Sequence, residues 1–236
     1  VLALALQAGV KMYTLKSPDG KVKLEVTAGQ GIAYSLFYDG RLLLKPSRIA
    51  LHTDLPEADH WENIRITGTK QRHVSETVQA PFYRVKEFGI DCNELELRLN
   101  NGFSLLMRAY NDGMAYRFVA GRKGEMTVVE ERAEFNFADD FEAYIPYSTN
   151  PKDPWNMAFQ NFYTKAPLTQ YNTELPAFLP LTVDAGAVKL TLLESDLEAY
   201  PGMFVRGDGK TPALKGVFAA YPQETFKNKW RCQETV

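Results

Sequence analysis

The sequence predicts an all-β protein, built as a large two-sheet antiparallel sandwich. Short runs of alternating apolar and polar residues recur along most of the 236 residues, which is the period of half-buried strands. Glycine, proline, asparagine and aspartate fill most gaps between these runs and favour tight turns. No segment keeps a helical spacing of apolar residues over three turns. The many short strands indicate a sandwich larger than a small immunoglobulin-type domain.

The first predicted strands are connected by hairpins. Segment 21–28 (KVKLEVTA) alternates apolar and polar residues directly after the turn sequence SPDGK. Segment 33–44 (AYSLFYDGRLLL) predicts two strands around Asp39-Gly40, because Asp-Gly is a strong hairpin signal. Segment 93–120 repeats this pattern with an Asn-Gly and an Asp-Gly turn, so it predicts a three-stranded meander. Further strands are predicted at 127–137, 141–146, 177–194 and 214–222.

Two segments depart from this pattern. Segment 1–16 begins with six apolar residues, and we interpret it either as the remnant of a secretory signal peptide or as an edge strand. Neither this nor any other segment supplies the roughly 20 apolar residues of a membrane span. Segment 147–176 is a long connection rich in proline, asparagine and aromatic residues. Long connections inside compact domains are usually functional, although aromatic side chains also anchor ordinary surface loops.

Composition argues against several classes of partner and chemistry. The chain has 27 Lys and Arg against 29 Asp and Glu, a net charge of −2, which gives no reason to expect nucleic acid or an anionic membrane as partner. Cys92 and Cys232 fit no metal-ligand pattern, so two unpaired thiols are expected, with one long-range disulfide as the alternative. Walker A, dinucleotide-binding, nucleophile-elbow and H-E-x-x-H motifs are absent.

Three carboxylates, Glu194, Asp196 and Glu198, follow one another in the run TLLESDLEAYPGMF. Glycoside hydrolysis needs two carboxylates that flank one sugar, about 5–5.5 Å apart for retention or 6.5–9.5 Å for inversion. On a strand these three side chains would point to one face and could not bracket a sugar. We therefore interpret the cluster as a strand exit with a polar rim, and a turn at Pro201-Gly202 follows it.

Five segments in this order carry a family resemblance: SPDGKVKLEV, LFYDGRLLLKPSRIAL, RAYNDGMAYRFV, FQNFYTKAPL and LLESDLEAYPGMF. Together they resemble the N-terminal domain of glycoside hydrolase family 97, whose members are bacterial α-glucosidases and α-galactosidases of the Bacteroides type. The resemblance implies that 17–236 form a galactose-mutarotase-like β-super-sandwich, truncated before the catalytic (β/α)8 barrel of the intact enzymes. It further implies a periplasmic or secreted protein, in agreement with the apolar N-terminus.

In the family the catalytic acid and the base or nucleophile belong to the barrel. The resemblance therefore implies no catalytic residue in this chain, and we expect the chain alone to be inactive. Its expected partners are the barrel of the same polypeptide and an α-linked oligosaccharide. The family's N-terminal domain also lends a loop whose glutamate helps to bind Ca²⁺ beside the reaction centre. The matching position is Gln160, whose neutral amide adds no charge, so we expect no tightly bound Ca²⁺ in this chain.

The length and composition of the 147–176 connection, together with the FQNFYT match, select further candidate residues. We expect Asn150, Trp155, Asn161 and Tyr163 on the loop that faces substrate and barrel, anchored by Phe159, Phe162 and Tyr163. Glu194 and Asp196 are expected at a strand end near the barrel.

Two alternatives stay open. A stand-alone carbohydrate-binding module would use exposed aromatic side chains such as Trp155 and Tyr171 as stacking platforms for sugar rings. A mutarotase-like sugar epimerase would need a histidine acid that faces a carboxylate base. The histidines are confined to the first third of the chain, at His52, His60 and His73, which argues against the second alternative.

Overall fold

The computed structural model describes residues 10–59, 61–156, 159–195, 197 and 200–220, and the backbone of 224–227 and 232–235. The chain divides into two compact units, an N-terminal unit, Val1–Ala138, and a C-terminal unit, Asp139–Val236. Both consist of antiparallel strands, which confirms the predicted all-β class. Whether they fold as the one domain predicted for 17–236 stays a prediction.

The N-terminal unit is a sandwich of two antiparallel sheets. Its strands are β1 (Lys11–Lys16), β2 (Val22–Gly29), β3 (Gly31–Tyr38), β4 (Arg41–Thr53), β5 (Ile66–Gln79), β6 (Glu87–Leu99), β7 (Phe103–Tyr110), β8 (Gly113–Ala120) and β9 (Val128–Asn136). The first sheet has the order β1-β2-β3-β4-β9 within this unit, and the second has the order β5-β6-β7-β8. The two sheets face each other, since β1 lies against β6 and β2 against β7.

The core of this unit follows directly from the alternation in the sequence. Leu24 and Val26 of β2 are fully buried, and so are Leu95 of β6 and Leu105 of β7. Because successive side chains of a strand point to opposite faces, the residues between them remain at least partly exposed. A short 3-10 helix, Trp61–Asn63, closes one end of the core, where the Trp61 indole donates to the Leu51 carbonyl at 2.9 Å.

The outer edge of β1 is covered by side-chain amides of the second sheet. The Gln71 Nε2 donates to the Thr14 carbonyl at 3.1 Å, and the Asn93 Nδ2 donates to the Lys16 carbonyl at 2.9 Å. Two carbonyls of an edge strand are thereby satisfied without a further strand, which limits the pairing of this edge with another chain. The edge strand predicted within 1–16 corresponds to β1 for Lys11–Lys16. Residues 1–9 lie outside the described part, so the choice between a signal remnant and a strand stays a prediction.

The C-terminal unit contains a four-stranded sheet and two hairpins. Its strands are β10 (Glu142–Ile145), β11 (Thr164–Pro167), β12 (Leu181–Ala185), β13 (Val188–Leu192), β14 (Met203–Gly207), β15 (Ala213–Phe218), β16 (Glu224–Lys227) and β17 (Cys232–Thr235). The sheet has the order β11-β10-β12-β13. The strands β14 and β15 pair with each other, as do β16 and β17.

Most predicted turns and strands are confirmed. Asp39-Gly40 connects β3 to β4, and the predicted meander is formed by β6, β7 and β8. The prediction of an irregular 147–176 connection is wrong in its second half, which contains β11 and a 3-10 helix, Leu168–Gln170. This half is ordered by pairing, because β11 adds to the edge of β10.

The predicted state of the two cysteines is tested only in part. Cys92 is buried and has no disulfide partner among the described residues. The side chain of Cys232 lies outside the described part, so the alternative disulfide remains a hypothesis. Among the described residues, no helix has the length and apolar character of a membrane span.

Candidate functional site

The described residues among the predicted site residues lie in two segments at one end of the four-stranded sheet in the C-terminal unit. At this end β10 finishes and β11 begins, since Ile145 pairs with Thr164. The strand β12 also begins there and β13 finishes there, since Leu181 pairs with Leu192. Segment 146–163 therefore leaves and re-enters the sheet at this end, and segment 193–202 leaves the sheet there. We call this end the rim.

We call segment 146–163 the rim loop. Aromatic side chains hold its first half in place. The Trp155 ring meets the Phe204 ring edge-on, with centroids 4.8 Å apart. The Phe159 ring lies 5.2 Å from the Phe178 ring and 5.7 Å from the Phe204 ring. Phe204 belongs to β14 and thus forms the platform on which the loop rests. This packing explains why a proline-rich segment keeps a defined position without pairing as a strand.

The predicted anchors are only partly correct. Phe159 is an anchor, and Tyr163 is held by a hydrogen bond that its hydroxyl donates to the Pro180 carbonyl at 3.3 Å. Phe162 is 100% exposed, so the prediction that it anchors the loop is wrong. The backbone turns its side chain away from the platform that Trp155 and Phe159 share.

Asn161 and Asn150 have local hydrogen bonds that define the shape of the loop. The Asn161 Nδ2 donates to the Tyr147 carbonyl, which ties the loop to the end of β10. The Asn150 Oδ1 accepts from the Lys152 amide at 3.1 Å, as in an Asx turn. These contacts give both residues a structural role, and their predicted part in substrate binding stays a prediction.

Gln160 lies at the surface of the rim. It is exposed and follows Phe159, whose φ of 53° is left-handed and uncommon for a bulky residue. The described residues contain no cluster of three or more His, Cys, Asp or Glu side chains that could hold a metal ion. Gln160 can offer one neutral oxygen where Ca²⁺ takes six to eight. The expectation that this chain binds no Ca²⁺ tightly stays a prediction.

Glu194 closes the loop that follows β13. Its Oε2 accepts a hydrogen bond from the Met203 amide at 2.7 Å, which joins the end of β13 to the start of β14. Burial raises the pKa of Glu194 above its usual value, while the hydrogen bond from Met203 lowers it. The predicted strand exit is confirmed, but β13 ends at Leu192. Glu194 itself lies beyond the strand, and Asp196 and Glu198 lie outside the described part, so the argument that all three share a strand face stays a prediction.

Tyr171 is a core residue and not a sugar platform. It is 3% exposed, and its hydroxyl donates to the Val205 carbonyl at 2.7 Å. Its ring meets the Tyr147 ring edge-on at 5.0 Å. Trp155 is half-buried against Phe204. The prediction that Tyr171 is an exposed stacking platform of a carbohydrate-binding module is therefore wrong.

Four exposed apolar side chains are distributed along the rim. Phe162 is fully exposed, Leu193 is 68% exposed, and Tyr163 and Phe159 are 45% and 39% exposed. We call these four residues the rim patch. Phe162 and Tyr163 directly precede β11 at one edge of the sheet, and Leu193 directly follows β13 at the other edge. Exposed apolar side chains that are concentrated at one end of a sheet favour contact with another protein surface or a ligand. The sequence pattern does not distinguish these four exposed residues from the buried aromatic residues, because the turns of the loops decide which side chains are exposed.

The two described histidines pair directly with carboxylates in the N-terminal unit. The His52 Nδ1 lies 2.6 Å from the Asp59 Oδ1, and the His73 Nε2 lies 3.0 Å from the Asp91 Oδ1. A mutarotase-type acid and base must stand on opposite sides of a sugar. These pairs are in direct contact, so no sugar fits between their members. His60 lies outside the described part.

A polar cleft of about 350 Å³ lies on the face of β5–β8 that points away from the first sheet. At its base the carboxylate of Glu94 accepts from the Arg72 Nε at 2.6 Å and from the Arg108 Nε at 2.8 Å. Burial alone would raise the pKa of Glu94, but the hydrogen bonds from Arg72 and Arg108 outweigh it and lower the pKa. A carboxylate that is already paired with two arginines is a structural ion pair and a poor acid or base.

Comparison with known proteins extends these observations. The family described as Glycosyl-hydrolase 97 N-terminal matches residues 15–233. A retaining alpha-galactosidase of Bacteroides thetaiotaomicron is 39% identical over 231 residues, which cover 95% of this chain and 34% of that protein. A probable retaining alpha-galactosidase of Streptomyces bingchenggensis is 26% identical over 158 residues, 65% of this chain and 24% of that protein. The chain thus spans about a third or less of the length of these relatives.

Solved structures show the same fold. A glycoside hydrolase family 97 enzyme from Pseudoalteromonas sp., in complex with acarbose, superposes with a TM-score of 0.72 at 18% identity, over 87% of this chain and 32% of that chain. A beta-arabinopyranosidase superposes with a TM-score of 0.74 at 20% identity, over 91% of this chain and 36% of that chain.

Proposed function

The chain belongs to the glycosyl-hydrolase 97 N-terminal family, and from this premise we propose that it is the non-catalytic N-terminal domain of a larger α-glycosidase. The parent protein hydrolyses an α-galactoside or an α-glucoside, and the named activity of the similar Bacteroides protein favours the galactoside. The chemistry belongs to a catalytic domain outside this chain. The protein acts in the periplasm or outside the cell.

The rim patch is the observation that carries this proposal. Phe162 is fully exposed, although Phe159, three residues before it, packs against Phe204. The exposure of an apolar side chain to water is unfavourable in free energy, and a second surface that covers the side chain removes this cost. We propose that the catalytic domain of the parent protein is that surface. The rim loop, which leaves β10 here, then lies beside the bound oligosaccharide.

The rim loop positions side chains beside the reaction centre and takes no part in the chemical step. Asn161 is fixed by its hydrogen bond to Tyr147 and Tyr163 by its hydrogen bond to Pro180, so the adjacent Gln160 is presented from a defined backbone. When Ca²⁺ is bound at the domain boundary, it supplies positive charge beside the reaction centre. Gln160 offers it one neutral oxygen, and the remaining ligands come from outside this chain.

The first test is an activity comparison between this chain and the full-length parent protein. Nitrophenyl α-galactoside and α-glucoside are the substrates. We expect turnover by the parent and none by the chain alone. Turnover by the chain alone at the rate of the parent would show that the catalytic residues lie within it, against this proposal.

The second test addresses the rim in the full-length parent. We expect Phe162→Ser with Leu193→Ser to lower kcat/KM by about tenfold, because a misplaced positioning loop costs rate. The matched control is Phe82→Ser, an equally exposed phenylalanine in the N-terminal unit, which should leave kcat/KM unchanged. Gln160→Glu should tighten the calcium dependence of activity and Gln160→Ala should weaken it. Unchanged kinetics in all rim variants would contradict a role of the rim in the active site.

A further inference from the structure

The polar cleft on the outward face of β5–β8 is lined by more positive than negative charge. Four cationic side chains and two carboxylates surround its volume of about 350 Å³, which gives a net charge of +2. Binding sites for small molecules begin at about 300 Å³. A concave surface with a surplus of one charge concentrates ions of the opposite charge. The cleft therefore favours a small ligand that carries negative charge.

The strand register concentrates the positive charge in one half of the cleft. The carboxylates of β6 lie opposite cations of β5, in the pairs Glu94 with Arg72 and Glu96 with Lys70. This half is neutral by count. The lining from β7 and β8 contributes Arg108 and Arg117 and no carboxylate. The two flanking rows of the same face add one further cation, Arg98, and no carboxylate.

The ion pair at the base of the cleft holds Arg108 in place. Hydrogen bonds from Arg72 and Arg108 lower the pKa of Glu94, so Glu94 stays ionised and keeps both guanidinium groups beside it. Arg108 donates to Glu94 through its Nε and also bonds to the Tyr110 side chain. A guanidinium group has five N–H donors. Arg108 is therefore preorganised and retains donors for a ligand.

The surface between Arg108 and Arg117 is apolar. Leu106 lies directly opposite Arg117, and it precedes Arg108 by two residues on the same face of β7, a separation of about 7 Å. The next row of this face pairs Ser104 with Val119, and Val119 is 36% exposed. An anion that lies between the two arginines thus has an apolar strip and a hydroxyl group beside it.

We propose that the cleft binds an acidic sugar, a ring that carries one carboxylate and several hydroxyl groups. The carboxylate lies between Arg108 and Arg117, because the planar fork of a guanidinium group matches a carboxylate. The C–H face of the ring packs on Leu106. The hydroxyl of Ser104 and the carboxylate of Glu96 bond to the ring hydroxyls. The site belongs to the N-terminal unit and is independent of the role proposed for the rim.

Glu96 explains why the ligand is a sugar and not a bare anion. A carboxylate accepts hydrogen bonds from hydroxyl groups but has none to donate to an anion. The Arg98 Nε donates to Glu96 Oε1 at 3.2 Å, and this bond leaves Oε2 for a ring hydroxyl. Inorganic sulfate, which has no hydroxyl group and no apolar face, would be repelled by Glu96 and would gain nothing from Leu106.

The first test is a titration of the 236-residue chain with glucuronate, glucose and sulfate, followed by the backbone amide signals in NMR. Glucuronate has about 13 non-hydrogen atoms, so we expect a dissociation constant of about 1 mM, with shifts confined to β5–β8. Glucose and sulfate should each bind at least about tenfold more weakly. An increase in ionic strength from about 0.01 M to about 1 M should weaken the binding of glucuronate.

The second test uses substitutions in the cleft. Arg117→Gln should raise the dissociation constant of glucuronate about tenfold. The matched control Arg84→Gln removes the same charge from an exposed arginine in the β5–β6 connection and should leave binding unchanged. Leu106→Glu places a carboxylate beside both arginines and should abolish binding, whereas its neutral counterpart Leu106→Gln should retain it. Far-UV circular dichroism checks that the variants keep their strands.

The third test asks whether the cleft remains open in the full-length parent protein. Equilibrium dialysis measures the binding of glucuronate to the parent and to its Arg117→Gln variant. We expect the same dissociation constant as for the chain, and the same loss of affinity in the variant. Binding to the parent that does not respond to Arg117→Gln would place the ligand elsewhere and would overturn the proposal.

Other outcomes would also overturn the proposal. Glucose that binds as tightly as glucuronate would show that the arginines do not recognise the ligand. Sulfate that binds as tightly would show that the ring contributes nothing and that the cleft is an unspecific anion site. Equal effects of Arg117→Gln and Arg84→Gln would show that only the total charge of the chain matters. Absence of binding to the parent would show that another part of the same polypeptide covers the cleft.

Discussion

Tyr171 holds the rim loop onto β14, and its replacement is the sharpest test of how the C-terminal unit keeps its shape. The side chain is 3% exposed. Its ring lies so close to Gly207 that a Cβ at that position would approach the ring to 2.7 Å. Burial raises the pKa of Tyr171, so the hydroxyl stays protonated and continues to donate to the Val205 carbonyl at 2.7 Å.

Two substitutions separate packing from hydrogen bonding at this position. Tyr171→Phe removes the hydroxyl, but the Val205 carbonyl still accepts from the Ala177 amide at 2.9 Å, so the expected cost is about 1 kcal/mol. Tyr171→Ala also removes the ring and leaves a cavity between Gly207 and Tyr147, so the expected cost is about 3–5 kcal/mol. Packing therefore contributes more than the hydrogen bond.

The assay is equilibrium unfolding in urea, with tryptophan fluorescence as the signal because Trp155 packs on Phe204 of the same strand, β14. The m-value should remain that of the wild type for Tyr171→Phe. A cost for Tyr171→Phe equal to that of Tyr171→Ala would show that the hydroxyl dominates. A cost below about 1 kcal/mol for Tyr171→Ala would show that the ring is not part of a close-packed core. Either result would refute this account of the rim.

Two further predictions concern the pH dependence of stability. Burial raises the pKa of Glu194 in the folded state, so its contribution to stability is present at low pH and declines as the pH rises through the folded pKa. Glu194→Gln keeps an oxygen acceptor for Met203, so relative to the wild type it should gain stability from pH 4 to pH 8, whereas Glu194→Ala should lose about 1 kcal/mol from the missing hydrogen bond. The pKa of Glu94 is lowered, because its arginine partners outweigh burial, so its contribution is present above the usual glutamate pKa and is lost on acidification. Glu94→Gln should cost about 1–3 kcal/mol at pH 7 and much less near pH 3. Urea unfolding at these pH values measures both effects, and a pH-independent difference between variant and wild type would contradict the assignment in each case.

Local patterns predicted much of the fold, because each signal is contained in a few residues. The Asp39-Gly40 hairpin needs only a turn that accepts positive φ, and Asp39 and Gly40 have φ values of 48° and 78°. The alternation of Val22, Leu24 and Val26 likewise predicts their burial in β2. The strand β5 was missed because its outer half is polar on one face and exposed on both. Periodicity identifies a strand only where one face is buried.

The candidate site was predicted less completely, because it depends on contacts between distant residues. The long 147–176 connection indicated a functional rim, and the resemblance selected Gln160 within it. Neither could show that Phe162 is exposed while Phe159 is packed, since both are phenylalanines of the same loop. The backbone between them is irregular, since Phe159 has a left-handed φ of 53°, and the sequence does not encode such a φ at a phenylalanine. The link from Glu194 to Met203 likewise joins two strands that the sequence separates by a turn.

The strand order of the first sheet has a kinetic consequence. The strands β1 to β4 are neighbours in both sequence and space, whereas β9 pairs with β4 only after the whole second sheet has been synthesised. Closing so long a segment is slow, because its entropy must be lost before the pairing is gained. During that interval the free edge of β4, with its apolar Leu43, Leu44 and Ile49, is a template for pairing with another chain. Nascent chains are therefore most prone to aggregate between the completion of β4 and the arrival of β9. The acidic and basic residues of β9, from Glu130 to Glu134, act as gatekeepers that keep this last strand soluble until it pairs.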